Sequence, residues 1–157
     1  MRKPLKGILL AAGLLLLCGG LLSSCGGGPD PRAMYRPKFS IESTTIPFLD
    51  EYNLMGVQLV EIDNPFPEAK RKRIYSLWFN LDSRGRFALH AETGDNLGKT
   101  IHMFIQGQSV GYHPIQGPVD NGVLPVLLSS QLQEADARFL HQQLERTIVE
   151  VHKKGRR

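Results

Sequence analysis

The sequence predicts an α+β fold, an antiparallel-rich sheet with two helices packed on one face. Three observations lead there. Short segments alternate apolar and polar residues through much of the chain, the period of half-buried strands. Gly107 separates two of these segments by so few residues that they must form a hairpin. Two stretches, one opening at Asp82-Ser83 and one at Ser130, change to helical spacing.

Residues 1–24 stand outside this fold. Arg2, Lys3 and Lys6 precede the apolar run Ile8 to Leu22, which is followed by small residues. The run is short for a spanning helix, which needs about 20 apolar residues, and the order of parts is that of an export signal. Leu22-Ser23-Ser24-Cys25 places an aliphatic residue and two small ones before a thiol and resembles the bacterial lipobox. The expectation is cleavage before Cys25 and acylation of that cysteine, with membrane lipid as its partner. Cys18 lacks a small residue before it and belongs to the apolar run. Cleavage takes three of the 19 basic residues and none of the 15 acidic ones, leaving 16 against 15. A nucleic-acid partner then has no charge to support it. With Cys18 removed and Cys25 acylated, no cysteine remains for a disulfide.

Gly26 to Pro31 resists both helix and strand, so residues 25–38 are expected to be the acylated cysteine and a flexible tether. Gly26, not Asp, follows the cysteine, which in enteric-type sorting favours the outer membrane over the inner. Residues 39–157 are expected to be one α+β domain. Phe39, Ile41 and Ile46 read as a first strand, and Gly56 to Ile62 as a second, rich in β-branched residues. A loop with Pro65, Pro67 and the basic run Lys70 to Arg73 follows. Tyr75 to Leu81 alternates, with Tyr75, Leu77, Phe79 and Leu81 on the core face.

Asp82 or Ser83 caps a short helix whose inward residues are expected to be Phe87, Ala88, Ala91 and Thr93, ended by Gly94 and Asn96. In the strand Thr100 to Gln106, Ile101, Met103 and Ile105 oppose His102, Phe104 and Gln106. Gly107 turns the chain into Ser109 to Tyr112, and residues 113–122, with two prolines and two glycines, are expected to form an extended or bulged connection. Val123 to Leu128 is a last strand, and Pro125 inside it predicts a sheet edge or a bulge. Ser130 and Gln133 have capping-box spacing, and Leu132, Ala135, Phe139, Leu144, Ile148 and Val151 follow at helical spacing. Lys153, Lys154, Arg156 and Arg157 suit the negative end of that helix.

These residues also carry a resemblance. Phe79-Asn80-Leu81-Asp82, Gly85, Thr93 and Asn96-Leu97-Gly98-Lys99-Thr100-Ile101 resemble the head region of the first periplasmic domain of SecD, a subunit of the protein-export translocase. The likeness continues through Ile105-Gln106-Gly107-Gln108, Ile115, Pro118 and Gly122 to Gln133-Glu134-Ala135, and covers roughly residues 56–150. It departs from the family at Gln106, where Asp is usual, at His113, where Pro is usual, and at Leu128, where Gly often precedes the helix. The resemblance implies an α+β module outside the membrane that touches emerging polypeptide. It does not imply a proton-driven motor, which needs the translocase's transmembrane helices.

The expected function is a non-catalytic envelope lipoprotein that faces the periplasm and binds unfolded polypeptide or an envelope protein, with no cofactor. The alternative is a structural lipoprotein that docks on one folded partner or on the cell wall. Candidate partner-binding residues are Trp78, Phe104 and Lys99. Trp78 and Phe104 lie off the core faces of their strands, where they would form an apolar surface. The competing expectation is that both sheet faces are covered, one by helices and one by the N-terminal strand. For Lys99 the alternative is a solvated side chain entering a strand.

Catalytic arrangements are missing from the pattern. His90, His102, His113, His141 and His152 have no metal-ligand spacing. Gly107-Gln108-Ser109-Val110-Gly111 has the spacing of a nucleophile elbow but leads from strand to strand instead of into a helix. Asp82 and Glu92 are accounted for by helix capping and solvation.

Overall fold

A computed structural model describes residues 34–42, 44–65 and 73–155. Residues 1–33, which hold the expected signal, Cys25 and most of the tether, lie outside the described residues, as does most of the basic run Lys70 to Arg73. The elements in order are β1 (Pro37–Ile41), β2 (Leu49–Asp50), a 3-10 turn (Glu51–Asn53), β3 (Leu54–Asp63), β4 (Arg73–Leu81), α1 (Ser83–Asp95), β5 (Thr100–Ile105), β6 (Gln108–Pro114), β7 (Val123–Leu128) and α2 (Glu134–Gly155). The strands form one antiparallel sheet in the order β2-β1-β5-β6-β7-β4-β3. The predicted α+β class is the observed one.

Alternation does what the sequence leads one to expect in β4 and β5, and β7 buries its residues on the same face. Leu77 and Phe79, Ile101, Met103 and Ile105, and Leu124, Val126 and Leu128 are buried on one face. Phe39 and Ile41 of β1, Leu89 of α1, and Ala137, Leu144 and Ile148 of α2 complete the core on that face. The sheet curls around it. Three strands lie between β1 and β4, which a flat sheet would hold about 19 Å apart. The rings of Phe39 and Phe79 nevertheless meet edge to face with centroids 5.2 Å apart.

Several expectations need correction. Ile46 belongs to no strand and is 79% exposed, because β1 ends at Ile41 and Thr44 turns back on it through a 2.8 Å backbone bond. The fold also starts before Phe39. β1 begins at Pro37, Tyr35 packs on Phe139 at 6.1 Å, and Arg36 lies 3.4 Å from the buried Glu51.

On α1 the inward face is Gly85, Leu89 and Thr93, with Ala88 partly buried. Phe87 is 77% exposed and Ala91 is exposed. The helix sits too close to the 3-10 turn for a side chain at position 85: a Cβ there would lie 2.9 Å from Asn53 Cβ. This approach fixes the helix phase and turns Phe87 outward. Asp82 is the cap, accepting from the Gly85 amide. On α2, Leu144, Ile148 and Val151 are buried as expected, whereas Ala135 and Phe139 are exposed and Ala137 takes the inward place.

Pro125 is not at an edge. It lies inside the sheet opposite Trp78, on β7 between β4 and β6. The sheet tolerates it because β6 stays beside β7 only at Gly111 and Tyr112 and then parts from it, so no strand needs the missing N–H. The β5–β6 hairpin turns through Gln106 and Gly107, both at positive φ (51° and 79°), the backbone of a type I′ turn. Gln is a poor residue for that conformation, and the Asp usual in the SecD family fits it better.

Candidate functional site

Backbone bonds at the ends of β4 fix which residues face which neighbour. The Leu81 amide donates to the Gly122 carbonyl (3.0 Å) on the β7 side, and the Asp82 amide donates to the Asn53 carbonyl (2.9 Å) on the β3 side. Even-numbered residues of β4 therefore bond β3, and odd-numbered ones bond β7. Their side chains divide the same way, with Leu77 and Phe79 in the core and Ser76, Trp78 and Asn80 on the opposite face.

That opposite face has a continuous register. Val60, Ser76, Leu127, Tyr112, His102 and Ser40 face one another in a row from β3 across to β1. Trp78 lies beside this row, between Gln58 on β3 and Pro125 on β7. It is 39% exposed, and Val60, Pro125, Leu127, Tyr112, His102 and Phe104 are half-buried. β1 is a strand of the sheet, paired with β5, and not a cover over this face. This corrects the expectation that the N-terminal strand shields it.

Phe104 shares the face but not Trp78's immediate surroundings. β4 and β5 run in opposite directions, so Trp78 and Phe104 project to opposite sides of the row. Three strand spacings and about four residues of length separate them by about 20 Å along the sheet. Leu127 and Tyr112 lie between. The pair marks the ends of a diagonal apolar stripe, the length of about six residues of extended chain. Phe104 itself packs near His102, ring centroids 6.2 Å apart.

Lys99 is elsewhere. Its ammonium donates to Asn96 Oδ1 (2.9 Å), its amide to the Asn96 carbonyl (3.2 Å), and its own carbonyl accepts from Ile115 (2.9 Å). Asn96 Nδ2 in turn donates to the Glu92 carbonyl (2.9 Å) and carboxylate (3.2 Å). The Asn-Leu-Gly-Lys group thus closes α1 and starts β5, at the end of that strand away from Phe104. The structure does not bring Lys99 together with either aromatic residue.

Two histidines missed by the sequence reading hold α2 to the sheet. His141 Nε2 donates to the Val57 carbonyl (3.2 Å) and His152 Nε2 to the Leu54 carbonyl (2.6 Å). They are eleven residues apart, about three helical turns, and so share the stripe with Leu144, Ile148 and Val151. That spacing is the signal which would have found them. Between α2 and β3 is a cleft of about 490 Å³ lined by Val57, Leu59, Glu61, Tyr75, Arg138 and Glu145, among others. His113 contacts the backbone of Pro125. Burial lowers its pKa from the ordinary 6.5, and the Pro125 backbone opposes the shift. Among the described residues no group of three or more His, Cys, Asp or Glu is placed to hold a metal ion, and no helix is long and apolar enough to cross a membrane.

No protein-family model and no curated protein matches the chain. Among solved structures it is similar to SecDF, a membrane component that enhances protein export, with a TM-score of 0.53 and 13% identity over 71% of this chain and 62% of that one. SecDF in its super-membrane-facing form is 16% identical over 64% of this chain and 12% of that one, with a TM-score of 0.48. The chain thus spans less than two thirds of either SecDF chain. At such identity the likeness is one of fold: the described domain has a SecD-like α+β fold.

Proposed function

We propose that the chain is a non-catalytic lipoprotein of the bacterial envelope, facing the periplasm and acylated on Cys25, whose SecD-like domain binds unfolded polypeptide. The observation that carries this reading is the half-exposed Trp78, set among Pro125, Leu127 and Tyr112 on the sheet face opposite the two described helices. Apolar rings and aliphatic side chains on a sheet face bind many sequences weakly, as suits a partner defined by being unfolded. The SecD-like fold supports the same class of partner, since SecDF enhances protein export. Sorting by the enteric rule would place the lipid anchor in the outer membrane, since Gly26 follows the cysteine.

A photoreactive residue in place of the exposed Gln58, next to Trp78, tests this in cells. Short irradiation is expected to link it to many newly exported chains. One dominant adduct, whether a folded protein or peptidoglycan, would replace the reading with a structural lipoprotein that docks on a fixed partner.

A further inference from the structure

β3 is the long edge of the sheet; the opposite edge, β2, has two residues and offers little to pair with. The even residues Gln58, Val60 and Ile62 face β4, so the odd residues turn their N–H and C=O groups outward. α2 covers part of this outer side, where His152 and His141 occupy the Leu54 and Val57 carbonyls. Toward its N-terminus α2 runs beside this edge across a cleft, and among the described residues it makes no further hydrogen bond to the β3 backbone. No backbone partner among the described residues meets the outward groups of Leu59, Glu61 and Asp63.

The cleft beside this free edge has an apolar floor, Val57, Leu59 and Tyr75, and an acidic rim, Glu61, Glu134 and Glu145. Arg138, the arginine lining it among the described residues, is held by Glu134 at 2.7 Å. Among the described residues Glu145 meets His141, at 3.7 Å, and Glu61 meets the exposed Arg73 loosely at 3.6 Å.

We infer that the β3 edge from Leu59 to Asp63 accepts an extended polypeptide segment as an additional strand, with a lysine or arginine of that segment placed in the cleft against Glu61 and Glu145. Backbone pairing supplies affinity without regard to sequence, and the carboxylates select for positive charge. A second copy of this chain fits poorly. Antiparallel pairing of two β3 edges about Glu61 sets the Glu61 carboxylates opposite each other and Asp63 against Leu59. The inference rests on the polypeptide-binding reading for the class of partner, but uses the β3 edge and its cleft, which adjoin the Trp78 face at Gln58.

The test uses the full-length chain and fluorescent peptides of about ten residues, the length of a long strand, with alternating Thr and Val and one central Arg. N-methylation of alternate amides removes the donors that pair with β3. This change, or exchange of the central Arg for Glu, is expected to weaken binding by at least about ten-fold. In the Glu61→Lys variant, the Glu peptide is expected to bind better than the Arg peptide. Equal binding of the N-methylated peptide would overturn the edge assignment while leaving polypeptide binding intact. A dimer of the chain that the Arg peptide dissociates would assign the edge to a second copy and also overturn it. Absence of binding by any peptide or unfolded chain would remove both readings.

Discussion

Replacing Phe79 with Ala is expected to destabilise the folded chain by about 3–5 kcal/mol, most of the stability of an ordinary domain. Phe79 is fully buried at the centre of the core. Its ring meets Phe39 edge to face across the hollow of the curled sheet, so it joins strands that share no ladder. Truncation removes the transfer energy of the ring, leaves a cavity, and takes away the contact that holds the two sides of the curl together. Phe79→Leu keeps much of the volume and is expected to lose far less. Denaturant unfolding of the purified chain measures this: the midpoint should fall strongly for Ala and modestly for Leu, with the slope unchanged. Similar losses for both would mean that ring shape, and not filled volume, sets the cost.

The second large loss is expected at Gly111, where even the methyl of Ala should cost about 3 kcal/mol, the upper part of the usual range for overpacking. A Cβ at this position would lie 2.6 Å from Val126 Cγ1, 2.9 Å from the Leu127 carbonyl oxygen and 3.3 Å from Leu128 Cδ2. The Val126 methyl is tightly packed in the core, and the Leu127 oxygen is backbone, so neither yields cheaply. The site is also at the shortest interior seam of the sheet, because β6 and β7 are joined in register only at Gly111–Leu128 and Tyr112–Leu127. Opening that seam would displace Tyr112 and Leu127, the middle of the apolar stripe, so Gly111→Ala should weaken peptide binding as well as stability. Thermal unfolding and peptide affinity measured on the same variant check both effects.

The strands were legible because their burial follows a period of two, and a half-buried strand writes that period into its residues. Leu77 and Phe79, or Ile101, Met103 and Ile105, needed no tertiary knowledge. α1 was misread for a reason of the same kind. Its inward face carries a glycine, a leucine and a threonine, and its largest apolar residue, Phe87, points to solvent. Hydrophobicity alone cannot reveal that Gly85 faces inward because it lacks a side chain. Pro125 misled because the rule for proline in sheets concerns the missing N–H, and where β6 parts from β7 is a tertiary fact. The curl of the sheet, which brings Phe39 to Phe79, leaves no local mark at all.

The candidate site was legible in part. The parity of Trp78 and Phe104 placed both off the core face. Their separation of about 20 Å followed only from the strand order. Lys99 resembled a binding residue because it lies in a family motif, yet its hydrogen bonds show that the motif builds a turn. His141 and His152 were weighed as metal ligands, whereas their role is to bond carbonyls on the outer side of an edge strand.

Trp78 is the only tryptophan in the chain, so its emission reports directly on the proposed surface. Titrating the full-length chain with a tryptophan-free polypeptide that cannot fold should shift this emission to the blue and saturate, while the same polypeptide chemistry in folded form should leave it unchanged. An emission spectrum indifferent to the unfolded chain, at concentrations where binding is detected by another method or where none is detected at all, would contradict the assignment of this face to polypeptide binding.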